Sequence, residues 1–480
     1  MVVDPGFAGV SPVGDGCEGC ARLAGENRRL RARVSELEGK VEELRRVGKR
    51  QAAPFSRDES GEGSSGKPGR PGRKPGSGYG KNAHRPVPEE VDETVEAPLG
   101  DGCECGGEIE FERVAYQYQE ELPKPRPIRR CVKVHIGRCK CCGRRHQGRH
   151  PYQTSDALGA AAAQLGPRAV ATVTQLNKEL GLSPQKTARA LEQLGGIKLT
   201  PGGVVQAVAR QARALEPTYG ALIEGVRASE HVAPDETGWR VGGRKAWMWA
   251  FAGDGVTVYE IATGRGYDEA SVILGENFDG VLERDGWAPY RRFEHASQQT
   301  CYAHLLRRCQ EMIADSIGGQ ARIPHTLRRI LKDGLRLRDE RDRGEHDDPG
   351  FAREIAALEL RIDTLLAGDP AHPANRRLLG HLRTEREHLT TFLRHPGVQA
   401  TNWRAEQALR PAIVNRKSWG GNRTWTGART LQVTISVIRT ARQQHQDPIE
   451  LMAAAQQHRT PKSSDRLNLP AARCDPALAA

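Results

Sequence analysis

HVAPDETGWRVGGRKAWMWAFAGDGVTVYEI, residues His231 to Ile261, is the stretch whose reading decides the fold class. Lys245 to Ala252 alternates Trp247, Trp249 and Phe251, a Gly253-Asp254-Gly255 turn follows, and Val256 to Ile261 is a second apolar run, which together predict a β-hairpin. Before it, His231 to Trp239 is an apolar approach that ends on Asp235. After it, Gly280 to Trp287, GVLERDGW, reads as a short strand that stops at Asp285-Gly286. The segment QQTCYAHLLRRCQEM then runs from a strand edge into a helix. Two acids, Asp235 and Asp285, are therefore expected at strand ends of one α/β unit, although an aspartate in a turn is common for local reasons alone.

Downstream, residues 310–398 lack strand signals and carry Leu, Arg and Glu at helical spacing, the pattern of a helical insertion. It is followed by TNWRAEQALRPAIVNRK, Thr401 to Lys417, which sets one acid, Glu406, among Arg404, Arg410, Arg416 and Lys417. Trp403, Gln407 and Arg410 share one helical face, Ala405, Leu409 and Ile413 form an adjoining apolar stripe, and Pro411 is expected to limit how far the helix runs cleanly. A solvated basic helix with one incidental Glu is the plain reading of this stretch in isolation; the other is phosphate work, with Arg404, Arg410, Arg416 and Lys417 as contacts to DNA phosphates around Glu406. Ser418 to Arg429 reads as a Gly/Thr/Trp loop, Leu431 to Arg442 and Pro448 to Gln457 as helices, and the residues after about Thr460 as a Pro/Ser/Ala-rich tail.

Upstream, Ala171 to Leu180 and Ser183 to Leu194 read as helices joined at Gly181, with Ser183 as N-cap and Pro184 at the first helical position. The pair is compatible with a helix-turn-helix whose second helix offers Lys186 and Arg189 to a major groove, and equally with an ordinary helical hairpin. Further towards the N-terminus stand Cys103 and Cys105 in CECGG, then Cys139, Cys141 and Cys142 in CKCCG, with strand-like patterning between. Two knuckles each closing on Gly suit a tetrahedral thiolate zinc site built from Cys103, Cys105, Cys139 and Cys142, with Cys141, His146 or His150 as substitutes; free buried thiols are the alternative. Residues 51–98 are a Gly/Pro/Ser-rich linker in which KPGRPGRKPG carries Lys67, Arg70, Arg73 and Lys74, either a minor-groove ribbon or a basic tether. Leu23, Leu30, Leu37 and Leu44 recur every seventh residue with Asn27, Val34 and Val41 between them, the d and a positions of a parallel dimeric coiled coil, or otherwise one amphipathic helix packed on its own chain. Cys17 and Cys20, in GCEGC, precede it without an assigned role.

Composition agrees with a polyanionic partner. The 480 residues carry a formal charge of +12, and with aromatics at 5% the expected contact with nucleic acid is electrostatic more than base-stacking. No apolar run approaches a membrane span and MVVDPGFAGVSP lacks the pattern of a signal peptide, so a cytosolic protein is expected, with eleven cysteines better explained by metal than by disulfides.

Asp235, Asp285 and Glu406 together could hold two divalent cations, Mg or Mn, about 3.5–4 Å apart for phosphodiester chemistry. Their separations, 285 − 235 = 50 and 406 − 285 = 121, leave convergence to the tertiary fold. DETGWRV from Asp235, LERDGWAPY around Asp285, CYAHLLRR from Cys301 and TNWRAEQALRPAIVNRKSW from Thr401 resemble the DDE transposases of the insertion-sequence-66 family, as does the order of coiled coil, basic linker, cysteine knuckles, helical segment and catalytic domain. The pattern departs from that family at Trp403 and Gln407, where relatives commonly carry Asn and Arg, and at the shortened first cysteine pair.

The resemblance implies a multidomain chain. Its parts are a coiled coil over 21–50, a basic linker over 51–98, a zinc-ribbon-like module over 99–150, a helix-turn-helix-like segment over 156–228, an RNase H-like catalytic domain over 229–435 with the insertion, and a helical segment over 436–460. It further implies Mg-dependent cleavage of the DNA 3′ ends of a mobile element and strand transfer into target DNA. Asp235, Asp285 and Glu406 would be the metal-binding triad, and Cys301 and His304 a C-x-x-H signature of structural role. DNA, a second copy joined through the coiled coil and element-encoded accessory proteins are the implied partners, at a bacterial nucleoid. Against active transposition stand two other readings, a catalytically inactive relative that binds DNA as a dimer and an RNase H-like host nuclease.

Overall fold

The computed structural model describes residues 26, 29–30, 87–99, 103, 105–158, 163–316, 318–345, 347–457 and 466–471. Glu26, Arg29 and Leu30 are helical and exposed; the rest of the expected coiled coil lies outside the described residues, as do Cys17, Cys20 and the basic ribbon of Lys67, Arg70, Arg73 and Lys74. The chain divides into two units, Met1–Glu120 and Glu121–Ala480. In the first, Cys103 and Cys105 flank a tight turn in which the Gly106 N–H donates to the Cys103 carbonyl at 2.8 Å, and residues 107–120 are in neither helix nor strand.

In the second unit, strands β1 (Ile136–Arg138) and β2 (Arg145–Gln147) form a short antiparallel hairpin around the cysteine turn. The strand-like patterning between the cysteine pairs thus produces only the three-residue β1 among the described residues, with β2 following the second pair, because almost every side chain here is exposed and a strand with no buried face gains little from pairing.

Helices α1 (Pro167–Lys178), α2 (Pro184–Gly195) and α3 (Pro201–Ala228) follow. Each opens on proline, whose missing N–H costs nothing in the first turn, and the Ser183 hydroxyl accepts from the Lys186 N–H at 3.3 Å to cap α2. Val170, Val173, Leu191, Val204 and Val208 close a small core among the three helices.

A five-stranded sheet comes next, formed by β3 (His231–Val241), β4 (Arg244–Ala252), β5 (Thr257–Ala262), β6 (Val281–Arg284) and β7 (Ser297–Thr300) in the order β5-β4-β3-β6-β7. β4 is antiparallel to both β3 and β5, while β6 runs parallel to both β3 and β7. Helix α4 (Tyr267–Leu274) lies on the crossover between β5 and β6. The insertion comprises α5 (Tyr302–Ala314), α6 (Arg322–Asp342), α7 (Asp348–Leu366), α8 (Pro373–Thr384) and the short α9 (Thr391–Arg394). It buries a core of its own around Tyr302, Leu331, Leu358, Leu378 and Phe392. Then come α10 (Trp403–Trp419), α11 (Trp425–Gln443) and α12 (Pro448–Gln456).

The period-two pattern of β3 and β4 explains the layering. On one face, Trp239, Met248 and Ala250 pack against Ala408, Leu409 and Ala412 of α10. On the other, Trp249, Phe251 and Val258 pack against Leu215, Tyr219 and Leu222 of α3. The open edge of β5 is closed by side chains rather than by another strand. Thr440, Ser436 and Gln432, one turn apart on α11, accept from the backbone N–H groups of Thr257, Tyr259 and Ile261 at 3.0, 2.9 and 3.1 Å, which satisfies donors that an edge strand would otherwise present to another chain.

Three local expectations are corrected. Asp235 sits in the middle of β3 and not at its end, because the hairpin with β4 continues to Val241 paired with Arg244. Helix α10 runs through Pro411 to Trp419, since the carbonyl left without a donor belongs to Gln407 on the exposed side, where water serves it. The expected loop from Ser418 to Arg429 shrinks accordingly to residues 420–424 between α10 and α11.

Candidate active site

The parallel ladder between β3 and β6 pairs His231 with Val281 and Val232 with Leu282, a constant offset of fifty residues. Asp235 and Asp285 have that same separation, so each lies at the same level beyond the last paired residues of neighbouring strands. On β3, Asp235 shares its face with Ala233, which is fully buried against Ala252 and Ala405. Ala405 immediately precedes Glu406, so the sheet face that carries Asp235 is the one that the first turn of α10 covers.

Asp235 feels the charge of the other two acids. Burial raises the pKa of Asp235 from the ordinary 3.8 to about 7, and the negative charges of Glu236, Asp285 and Glu406 push it the same way. Among the described residues no group of three or more His, Cys, Asp or Glu side chains is gathered tightly enough to hold a metal ion. A pair of ions asks less of each site, because Mg keeps waters and substrate phosphate oxygens and needs only one or two protein carboxylates per ion. A partly buried Asp held beside other carboxylates, with no lysine or arginine bonded to it, fits that demand.

The supporting bonds are specific. The Asp285 carboxylate accepts from the Trp287 N–H at 2.9 Å, closing a small turn directly after β6. Glu406 lies in the first turn of α10, where the helix N-terminus favours negative charge. The strand of chain leading into α10 is clamped to the sheet and to α5. Gln399 N–H donates to Glu283 at 2.7 Å, Tyr302 N–H to the Ala400 carbonyl at 2.8 Å, and Asn402 N–H to the Cys301 sulfur at 3.4 Å. His304 Nε2 is 3.9 Å from Glu406 Oε1. The residues of the C-x-x-H segment therefore stand at the base of the helix that carries the third acid.

The predicted basic residues separate into two kinds. Arg410 and Lys417 are exposed on α10, and Lys186 and Arg189 are exposed on α2. Arg404 and Arg416 are engaged within the chain: Arg404 donates to the Gly253 carbonyl and lies 3.6 Å from Asp254, while Arg416 donates to the Gly238 carbonyl and to the Thr237 hydroxyl at 3.2 Å. The C-terminal half of α10 also reaches the α1–α2 turn. Asn415 donates to the Lys178 and Glu179 carbonyls, and Trp419 Nε1 to the Gly181 carbonyl at 3.0 Å. Gly181 has φ +72°, and a Cβ there would stand 2.2 Å from Asn415 Oδ1, so only glycine accommodates this approach.

One acid escaped sequence reasoning. Glu236, adjacent to Asp235 but on the opposite sheet face, accepts from Arg265 at 2.5 Å and from the Tyr290 hydroxyl at 2.9 Å. Arg265 in turn lies 4.1 Å over the ring of Trp287, two residues beyond Asp285, and thus ties β3 to the turn that holds the second acid. No motif marks Arg265, and only the register of β3 reveals which way Glu236 points.

In the cysteine turn of the second unit, the N–H groups of Cys141 and Cys142 and the Cys142 side chain hydrogen-bond to the Cys139 sulfur and lower its pKa. In the first unit, the Gly107 N–H and the Cys103 side chain do the same for Cys105. Such N–H···S bonds favour thiolate, the form in which cysteine ligates a metal.

A sequence-family model described as Transposase IS66 family matches residues 162–430, a span that contains Asp235, Asp285, Glu406 and the whole helical insertion. No curated protein matches the chain. No described helix is long and apolar enough to cross a membrane.

Proposed function

The chain belongs to the IS66 transposase family, and from that premise we propose that it is a DDE-type DNA transposase whose reacting centre is formed by Asp235, Asp285 and Glu406. The observation that carries the reading is the placement of these three carboxylates: Asp235 on β3, Asp285 level with it just beyond the adjacent parallel β6, and Glu406 in the first turn of the helix that covers the Asp235 face. The strand order, with three antiparallel strands followed by two parallel ones, supports an RNase H-like core. Bound Mg or Mn would activate the attacking oxygen and stabilise the leaving oxygen of a phosphodiester. The protein supplies the rest. Asp235 offers a desolvated carboxylate from a rigid strand, Asp285 is aimed by its turn, and Glu406 is fixed by the Gln399-to-Asn402 clamp. Exposed Lys186, Arg189, Arg410 and Lys417 offer charge to DNA phosphates.

The reading is tested by incubating the purified full chain with Mg and duplexes that carry the ends of its element. Cleaved strands ending in a free 3′ hydroxyl are expected. A protein that shifts these duplexes but never cleaves them would instead be an inactive, DNA-binding relative, and the proposal would fall.

The thiolate-favouring turns also support structural zinc in the cysteine module. Elemental analysis of the purified chain should then find about one zinc per chain, greatly reduced by Cys139→Ser together with Cys142→Ser. Zinc-free wild-type protein, folded and DNA-binding, would remove that part of the account.

A further inference from the structure

Two helices of the insertion each present a histidine and an arginine one turn apart, His304 and Arg308 on α5 and Arg377 and His381 on α8. Both histidines lie at the acids. His304 approaches Glu406, and the His381 ring is within 3.2 Å of where a Cβ on Gly286, next to Asp285, would stand. One turn from these histidines stand Arg308 and Arg377; burial lowers the pKa of Arg308, and the positive charge of Arg377 acts in the same direction. The charges of Arg308 and of a third arginine, Arg328 of α6, both act on the buried Cys309 thiol, against the burial that raises its pKa. Arg328 also lines a surface groove with Arg322, His325, Arg329 and Lys332.

Two of the nearby acids are already engaged elsewhere. Glu385 is bonded to Arg284, Arg291 and Thr300, and Asp333, at the far side of the groove, is bonded to Arg361 at 2.7 Å. Among the described residues, the side chains of Arg308 and Arg377 have no hydrogen-bond or ion-pair partner. Holding guanidinium groups together without a carboxylate is unfavourable in the free protein, and an anion placed between them would relieve it.

We propose that His304, Arg308, Arg377 and His381 form a cleft that grips a backbone phosphate of the DNA strand as it passes the carboxylates, with the α6 groove continuing the track for neighbouring phosphates. The four are positioning residues: they hold the strand in register and leave the chemistry to the acids. This inference rests on the transposase reading above and names the part of the insertion that serves it.

The test is fluorescence-anisotropy binding of element-end duplexes at a series of salt concentrations, with the full chain, Arg308→Gln/Arg377→Gln and Arg308→Lys/Arg377→Lys. The glutamine pair should weaken binding roughly tenfold at fixed salt and flatten the log–log salt slope by about 1, the loss of one phosphate contact. The lysine pair, which keeps the charge, should stay close to wild type. A neutral methylphosphonate, moved along the strand near the cleaved bond, should abolish the difference between wild type and the glutamine pair at one position. Arg377→Gln alone, at an exposed position, repeats the test should the double variant misfold. An unchanged slope, or a defect equal at every methylphosphonate position, would overturn the cleft. Wild type that binds with a steep slope yet never cleaves would overturn the transposase reading while leaving the slope comparison to decide the cleft.

Discussion

Asp235→Asn is expected to reduce Mg-dependent cleavage by about a thousandfold or more while leaving DNA binding intact. The carboxylate is asked to help place positive charge on a transferring phosphoryl group, worth several kcal/mol, and each ~1.4 kcal/mol is a factor of ten. The same substitution should raise the melting temperature of the metal-free protein, because it removes a carboxylate that burial and the charges of Glu236, Asp285 and Glu406 all disfavour. The sign follows from linkage. A carboxylate whose folded pKa is raised binds more protons folded than unfolded, so wild-type stability without metal should fall as pH climbs from about 4 to about 7. Asp235→Asn should flatten that part of the pH profile. A variant that loses cleavage and stability together would indicate a structural defect instead.

The second large effect concerns the joint between insertion and sheet. Arg284, the last residue of β6, and Glu385, at the C-terminal cap of α8, are an ion pair with both side chains fully buried, and Glu385 also accepts from Thr300 at 2.8 Å and Arg291 at 2.7 Å. Removing one partner strands a buried charge, so Glu385→Ala should cost about 3–5 kcal/mol in urea unfolding. Exchanging both at once, Arg284→Met with Glu385→Leu, should recover much of it, since an apolar pair needs no compensation. Burial by itself would raise the pKa of Glu385, but Arg284 and the hydrogen bonds from Arg284, Thr300 and Arg291 outweigh it and hold the group below the usual glutamate range. Its contribution is therefore present above the ordinary value of 4.5 and is lost as pH falls below it. A loss under 1 kcal/mol for Glu385→Ala would show that the pair is incidental. Because Asp285 directly follows Arg284, loosening this joint should also lower cleavage.

Much of this arrangement could be read from the chain because the decisive patterns are local. The Trp247, Trp249, Phe251 alternation and the Gly-Asp-Gly turn give β4 and β5 almost residue for residue, and Pro184 after Ser183 gives the start of α2. The three acids are nameable from their motifs, but the level placement of Asp235 and Asp285 and the position of Glu406 on a helix over one sheet face are not, since they depend on the fifty-residue offset of a parallel ladder and on where α10 packs. Mid-strand Asp235 reads as a strand end because an acid interrupts the apolar run, and sequence alone does not show that β4 continues to pair beyond it. Arg404 and Arg416 carry charge in the sequence like Arg410 and Lys417, and only the turn of α10 reveals that their guanidinium groups are occupied by carbonyls of the β-sheet region. The electrostatic effect of Arg377 on Arg308 links two helices of the insertion and has no linear signature.

The central claim is that Asp235, Asp285 and Glu406 jointly hold divalent cations at a DNA phosphodiester. It is tested most directly by counting Mn ions bound to the full chain with element-end DNA, by electron paramagnetic resonance, in wild type and in Asp235→Asn, Asp285→Asn and Glu406→Gln. About two Mn ions per active site are expected for wild type, fewer in each variant, with the spin–spin coupling of a close pair seen in wild type alone. Equal Mn occupancy in all four proteins would contradict the account.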